Sequence, residues 1–496
     1  MDKLLLNGYL RHLKRQIGTP GLETRLCPVA REGLATPVAD AGRSSLPRAD
    51  DTGDFVEEKR VRVGLVGFGT VGTGVAKLIC EEGNAIAAKT GVRLELGRVV
   101  DLDTTTPRPV TLPDGVLTDD LNTLLNDVSV NIGVELVGGT TTAKEIQLQM
   151  LRSGKHVVTA NKALLAEHGA ELYHVAWEND RCIAFEASCA GGIPIVTAIR
   201  TGLAANNITA MYGIVNGTCN YILSSMSAKD EEFAVALAEA QERGFAEADP
   251  TLDINGGDSA HKLAILASIA FGYEISLEDI FVQGLEGLAR DDIRYGREMG
   301  YCLKLLAIGL KGTDGKVSLR VHPSFIAADC SLARVDGSFN AISIFGSAVG
   351  ETLYYGRGAG MMPTASAVVA DILDVALGNS KTTFSHLRLR PRAEVAPLIE
   401  NIDDSVSRFY IRVMAKDEPG VVACYGKILG DHRISISGAL QHEGRGPDNT
   451  VPVVITTHQT QERNMAAALA DLANSDLFGG QPVCIRIVDI PEDRDT

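Results

Sequence analysis

The 496-residue sequence has little that would tie it to a membrane, a nucleic acid or an oxidising compartment. Its longest apolar run, around Leu263–Gly272, falls far short of the ~20 residues that span a bilayer. Positive charge is scarce, with 47 Lys and Arg against 63 Asp and Glu and a formal charge of −16. Binding nucleic acid or anionic lipid draws on clustered Lys and Arg, so neither is expected as the main partner. The nine cysteines form no CxxC pair and read as reduced intracellular thiols, not a disulfide frame or zinc site. These deficits predict a soluble, cytoplasmic protein.

What is present is ordinary globular composition, 45% hydrophobic and 22% charged, which excludes global disorder and fibrous repeats. The length calls for two to four domains. Residues 1–60 read differently from the rest. "MDKLLLNGYLRHLKRQ" has the pattern of a short basic amphipathic helix, and "TPVADAGRSSLPRADDTGD" is rich in Pro, Gly, Ser and Asp. A poorly ordered extension is expected there; a transit peptide is the alternative, though acids are mixed in and no cleavage signal stands out.

"VRVGLVGFGTVGTGVAKLI" opens the ordered chain with a buried-strand pattern at Val61–Val66, followed by GxGxxG at Gly67, Gly69 and Gly72. Glycines there allow a tight turn and close approach of the backbone to a pyrophosphate, and the following helix N-terminus favours the phosphate charge. Phe68, Thr70 and Val71 complete the loop. A second strand, "RLELGRVVD", ends at Asp101, placed to bind a ribose 2'-hydroxyl, somewhat beyond the usual ~20 residues. No basic residue adjoins Asp101, so NAD is expected over NADP unless Arg98 or Arg108 folds inward. Two further strand–helix units carry Thr140 and Asn161–Lys162 at strand C-terminal ends. The alternation predicts an α/β fold whose residues 61–185 form a Rossmann-type, doubly wound dinucleotide-binding domain.

Beyond it, "GFAEADPTLDINGGDSAHK" crowds Glu247, Asp249, Asp253 and Asp258 ahead of Lys262. "DSAHKLAILASIAFG" has helical periodicity, so Asp258 and Lys262, at i and i+4, share a face. Such a pair is often only an exposed ion pair, so spacing alone leaves its role open.

The motifs "GFGTVG", "ANKALLA", "AGGIPI", "GIVNGTCNYIL", "GFAEADPTLDINGGDSAHKL" and "YYGRGAGMMPTASAVVADI" occur in that order. Together they resemble homoserine dehydrogenase over roughly residues 61 to 490. The resemblance implies reversible NAD(P)-dependent interconversion of L-homoserine and L-aspartate 4-semialdehyde, in threonine, methionine and isoleucine biosynthesis. It implies that Lys262 acts in proton transfer, that Glu247 and Asp258 bind homoserine, that Asp253 is also implicated, and that Lys162 lies between nicotinamide and substrate. It places Gly358 and Gly360 near the nicotinamide. "EASCAGGIP" matches a monovalent-cation loop, in which the resemblance implies that one glutamate and several backbone carbonyls bind sodium, at Glu186, Cys189, Gly191 and Ile193. Residues 186–350 would form an α+β substrate-binding and dimerisation domain, and 351–397 would return to the dinucleotide domain. Sixty residues leave no room for an aspartate-kinase-like segment, so a monofunctional chain is expected.

Residues 403–490 start afresh after the Pro-rich "RLRPRAEVAP" and read as βαββαβ. This resembles an ACT domain, with Gly420 after Pro419 at a helix start where backbone amides could receive an effector carboxylate. Threonine is the effector the resemblance implies; a domain kept only for assembly is the alternative. Exposed strand edges predict a homodimer or homotetramer. Two rival activities stay open at this level: a non-catalytic amino-acid or nucleotide sensor, and a phosphorylating semialdehyde dehydrogenase with Cys219, in "NGTCN", as nucleophile.

Overall fold

The computed structural model describes residues 58–386, 397–442 and 450–491; most of the expected N-terminal extension and the Pro-rich link lie outside the described residues. The first unit alternates β1 (Lys59–Val66), α1 (Thr70–Glu81), β2 (Val92–Val100), β3 (Leu117–Thr118), β4 (Val130–Glu135), α2 (Thr142–Arg152), β5 (His156–Thr159), α3 (Lys162–Glu178) and β6 (Ile183–Ala184). All six strands are parallel, in the order β3-β2-β1-β4-β5-β6. A parallel sheet needs cover on both faces, which is why Val63, Leu65, Val99 and Val134 are all fully buried. Strand order reverses between β1 and β4, and that reversal opens a crevice at the strand C-termini. The first strand starts at Lys59, inside the stretch expected to be extension.

The chain after β6 is irregular. It makes a 3-10 turn at Glu186–Ser188, one helical turn at Ile195–Thr197, and a wider π turn at Ala198–Gly202. It then builds a second sheet from β7 (Ile208–Ile214), α4 (Gly217–Lys229), α5 (Gly257–Phe271), β8 (Tyr301–Lys311), β9 (Lys316–Ala327), β10 (Phe339–Gly346) and β11 (Gly350–Arg357). Helix α6 (Met361–Leu377) returns to the first unit and lies on α1 so closely that a Cβ at Gly74 would press on Ala365 and Met361.

The C-terminal stretch has the expected βαββαβ order: β12 (Val406–Lys416), α7 (Val421–Asp431), β13 (Ile436–Gln441), β14 (Thr450–Thr457), α8 (Glu462–Ala473) and β15 (Phe478–Ile487). It does not stand apart. One continuous sheet runs β11-β10-β7-β8-β9-β15-β12-β14-β13, with β9 and β15 joined in parallel at Ser324↔Arg486 and Phe325↔Ile487.

Side chains reinforce this seam. Asp292, fully buried on the helix Arg290–Glu298, accepts hydrogen bonds from the Tyr410 hydroxyl at 2.9 Å and from Arg412 Nε at 2.6 Å and Nη2 at 2.9 Å. Arg486 on β15 pairs with Glu462 and donates to Gln283 Oε1 at 2.6 Å. Removing the charge of Asp292 would leave a guanidinium in the seam without its counter-charge. Asp292→Asn is therefore expected to destabilise the protein by about 3–5 kcal/mol, read from denaturant unfolding. Asp431→Ala, which breaks the exposed Lys427–Asp431 pair, is expected to cost less than about 1 kcal/mol. Equal effects would mean that the seam pair is no more important than a surface one.

Candidate active site

The glycine loop between β1 and α1 has the geometry a dinucleotide needs. Gly67 has φ +96°, and a Cβ at Gly72 would collide with the Gly67 carbonyl oxygen, so neither tolerates a side chain. A Cβ at Gly69, by contrast, would meet no heavy atom within 4 Å, and no side chain caps α1. The amide-rich turn is thus open on the side a pyrophosphate would take. Asp101 closes the β2 end: it accepts from the Phe68 amide and, through Oδ1, from the Asp103 amide at 2.8 Å.

Of the two basic candidates near this end, Arg98 turns toward Asp127 at 3.5 Å. Arg108 folds inward. Its Nε donates to Phe68 O at 3.2 Å, its guanidinium lies 5.3 Å from the Phe68 ring centre, and Nη2 is 4.0 Å from Asp101.

A cleft of about 580 Å³ lies below this crevice. Val71, Lys162, Gly358 and Gly360 line it together with Glu247, Asp253, Asp258 and Lys262. Gly67, Phe68, Gly69, Thr70, Gly72, Asp101 and Thr140 sit at the ends of β1, β2 and β4 and do not line this cleft.

The centre of the cleft is a buried carboxylate between two ammonium groups. Asp258 Oδ2 accepts from Lys262 Nζ and from Asn216 Nδ2, each at 2.8 Å, and Oδ1 is 3.2 Å from Lys162 Nζ. Burial alone would push the Asp258 carboxyl up. The Lys262 and Lys162 ammoniums and the hydrogen bonds from Lys262 and Asn216 outweigh it and hold the acid well below the usual carboxylate range. Lys262 also donates to the Val215 carbonyl at 2.6 Å.

Lys162 opens α3, where the helix dipole disfavours a cation. Asp258 supplies the missing negative charge, and Asn161 caps the helix by accepting from the Leu164 amide at 3.2 Å.

Asp253 lies on a short helix, Thr251–Ile254, and accepts from Asn216 Nδ2 at 2.7 Å. Glu247 is exposed on the cleft rim, and its carboxylate has no partner among the described residues.

The rival nucleophile does not fit. The Cys219 thiol is fully buried, donates to the Asp253 carbonyl at 3.2 Å, and burial pushes it well above the ordinary thiol range. A thiolate nucleophile needs the reverse conditions. The Glu186 carboxylate, among the expected sodium positions, accepts from the Val196 and Thr197 amides, both at 2.8 Å. Among the described residues no group of three or more His, Cys, Asp or Glu could hold a metal. Cys189, Gly191 and Ile193 belong to the same loop, and Gly191 packs directly on the Gly358 carbonyl.

Sequence reasoning missed Asn216, which bridges Asp253 and Asp258 while its Oδ1 caps α4 through the Cys219 amide at 2.8 Å. An Asn one residue before a helix is the signal that could have found it. It also missed Glu135, whose buried carboxylate accepts from Gln147 at 2.8 Å and Thr159 at 2.9 Å and so ties β4 to β5.

Comparison with known proteins shows the family. Residues 194–373 match the family model "Homoserine dehydrogenase", and residues 67–186 match "Homoserine dehydrogenase, NAD binding domain". The homoserine dehydrogenase of Neisseria gonorrhoeae is 42% identical over 415 residues, covering 83% of this chain and 95% of that protein. A crystal structure of a homoserine dehydrogenase from Thiobacillus denitrificans superposes with a TM-score of 0.80 at 40% identity, over 87% of this chain and 99% of the other. A hyperthermophilic archaeal homoserine dehydrogenase in complex with NADPH is similar over 64% of this chain and 98% of its own, at 28% identity and a TM-score of 0.53. With its dinucleotide crevice opening onto a lysine–carboxylate cleft, the chain belongs to the homoserine dehydrogenase family and is an NAD(P)-dependent oxidoreductase acting on a CH–OH carbon.

Proposed function

We propose that Lys262 and Lys162 face the reacting oxygen, while Asp258 holds both lysines in place. The observation behind this reading is that both Asp258 oxygens are already bonded, to Lys262 and Asn216 on one side and facing Lys162 on the other. The role expected for Asp258, binding the substrate ammonium, passes to Glu247 and the free oxygen of Asp253. Lys262 has three N–H bonds; Asp258 and Val215 take two, which leaves one for the substrate oxygen.

A bound nicotinamide supplies the hydride chemistry at C4 of the substrate. The protein must align the two carbons and manage one proton at the oxygen. In the aldehyde-reducing direction Lys262 gives that proton as negative charge builds on the oxygen; in the alcohol-oxidising direction it receives it.

Arg108 supports a second reading, that the preference for NAD expected from Asp101 is offset by a guanidinium able to pair with a 2'-phosphate. The division into a dinucleotide domain, a substrate domain and an ACT-like sensor is also part of this proposal. The βαββαβ order and the positive φ of +103° at Gly420 support the sensor. Among the described residues no single helix is long and apolar enough to cross a membrane. A homodimer or homotetramer would suit the exposed apolar residues Leu353 and Tyr355 on β11.

Lys262→Ala is expected to lower kcat by ~10²–10⁴-fold with cofactor affinity retained. Glu247→Gln is expected to raise the homoserine KM with a smaller change in kcat, and steady-state kinetics separate the two. A folded Lys262→Ala enzyme with the wild-type rate would refute the assignment.

Arg108→Ala is expected to reduce kcat/KM for NADP by about 10- to 100-fold, the loss of one charge-assisted contact, with little effect on NAD. Equal losses for both cofactors would remove Arg108 from the 2' site.

Threonine at millimolar concentration is expected to inhibit the full-length enzyme, with a coupling of about 1–3 kcal/mol between effector and substrate. Indifference to threonine would make the C-terminal stretch an assembly surface.

A further inference from the structure

Strand β10 carries Asn340 into the floor of the cleft, where it is 1% exposed. Its Nδ2 donates at 2.9 Å to the Val215 carbonyl, the oxygen that also accepts from Lys262 Nζ at 2.6 Å. Its Oδ1 is buried and has no partner among the described residues. The orientation is dictated by its surroundings, since turning the amide over would set oxygen against the Val215 oxygen. An unpaired buried amide oxygen costs about 1–3 kcal/mol. Stability alone therefore does not account for an amide at this position.

Asn340 also meets the cofactor side of the cleft. A Cβ at Gly358 would collide with its amide nitrogen, and a Cβ at Gly217 would come within 3.5 Å of its Oδ1. One side chain thus touches both the loop expected beside the nicotinamide and the carbonyl that anchors the proton-handling lysine.

We propose that Asn340 is a positioning residue for proton transfer. A carbonyl oxygen has two lone-pair directions. By filling one of them, Asn340 fixes the direction along which Val215 accepts Lys262, and so directs the remaining N–H of Lys262 at the substrate oxygen. Because Gly358 rests on the same amide, cofactor seating and lysine alignment share one reference point. The inference rests on the reading of Lys262 as the proton-handling group.

Asn340→Ala is expected to lower kcat by about 10- to 100-fold, as loss of a ligand-orienting partner does, while the homoserine KM and NADPH binding measured by fluorescence stay near wild type. Asn340→Asp, the same shape with oxygen facing oxygen, is expected to lose more. Gly358→Ala reaches the same point by another route, by pushing the Asn340 amide off the Val215 oxygen. In the double variant Asn340→Ala/Gly358→Ala the new methyl group has room, so the double loss in kcat should equal that of Asn340→Ala alone.

Additive losses, a wild-type kcat in folded Asn340→Ala, or a defect confined to KM would each overturn the proposal. If Lys262→Ala is impaired and Asn340→Ala is not, this inference alone fails. If Lys262→Ala keeps its rate, the reading beneath it fails first.

Discussion

The Asp258 carboxylate, buried between two ammonium groups, is the interaction on which the site depends. Lys162 opens a helix of the dinucleotide unit, Lys262 lies on α5, and Asn216 caps α4, so three helices from two units converge on one acid. Each partner alone would be unfavourable in place: a cation at a helix N-terminus, a lysine only 12% exposed, a carboxylate away from water. Together they offset much of one another's cost, and the cleft keeps two ammonium donors on one carboxylate. Removing Asp258 would leave Lys262 without its counter-charge and Lys162 without its partner, so the cluster also ties the two units together.

Around this centre the backbone does much of the positioning. The Val215 carbonyl, just past β7, is part of the lysine's binding geometry although its side chain contributes nothing to it. Glycines at 191 and 358 let two loops touch where any Cβ would separate them. The Glu186 carboxylate, buried and raised by that burial, secures the short helix after Pro194 through two amides. Asp371 on α6 in turn holds the Glu186 amide at 2.8 Å, so the returning helix braces the same loop.

The sequence made some features legible and hid others, for physical reasons. Periodicity and glycine spacing indicated β1, α1 and the parallel unit, because local pattern and buried faces coincide there. The i, i+4 spacing of Asp258 and Lys262 survives in the fold, since a helix alone fixes it. The partners of that pair were not legible. Asn340 lies 125 positions from Val215 and Lys162 comes from a different sheet, so only tertiary packing brings them together. Cys219 stayed open as a rival nucleophile for a similar reason: its place at a helix start is compatible with an activated thiol, but complete burial controls its chemistry. The merging of the C-terminal strands into the catalytic sheet had no signal either, because β9 carries the same apolar residues whether its edge is open or paired.

That shared sheet makes the molecule mechanically continuous. From β15 at the seam, the path through β9 and β8 reaches β7 in three interstrand steps, about 15 Å at the usual spacing. The next residue after β7 is the one whose carbonyl anchors Lys262. Hydrogen-bonded strands twist together, each turned some 20–25° from its neighbour, and a ladder resists shear far better than a loop does. Any rotation of the C-terminal layer is therefore felt at the lysine as a change in sheet twist, with no moving loop required between them.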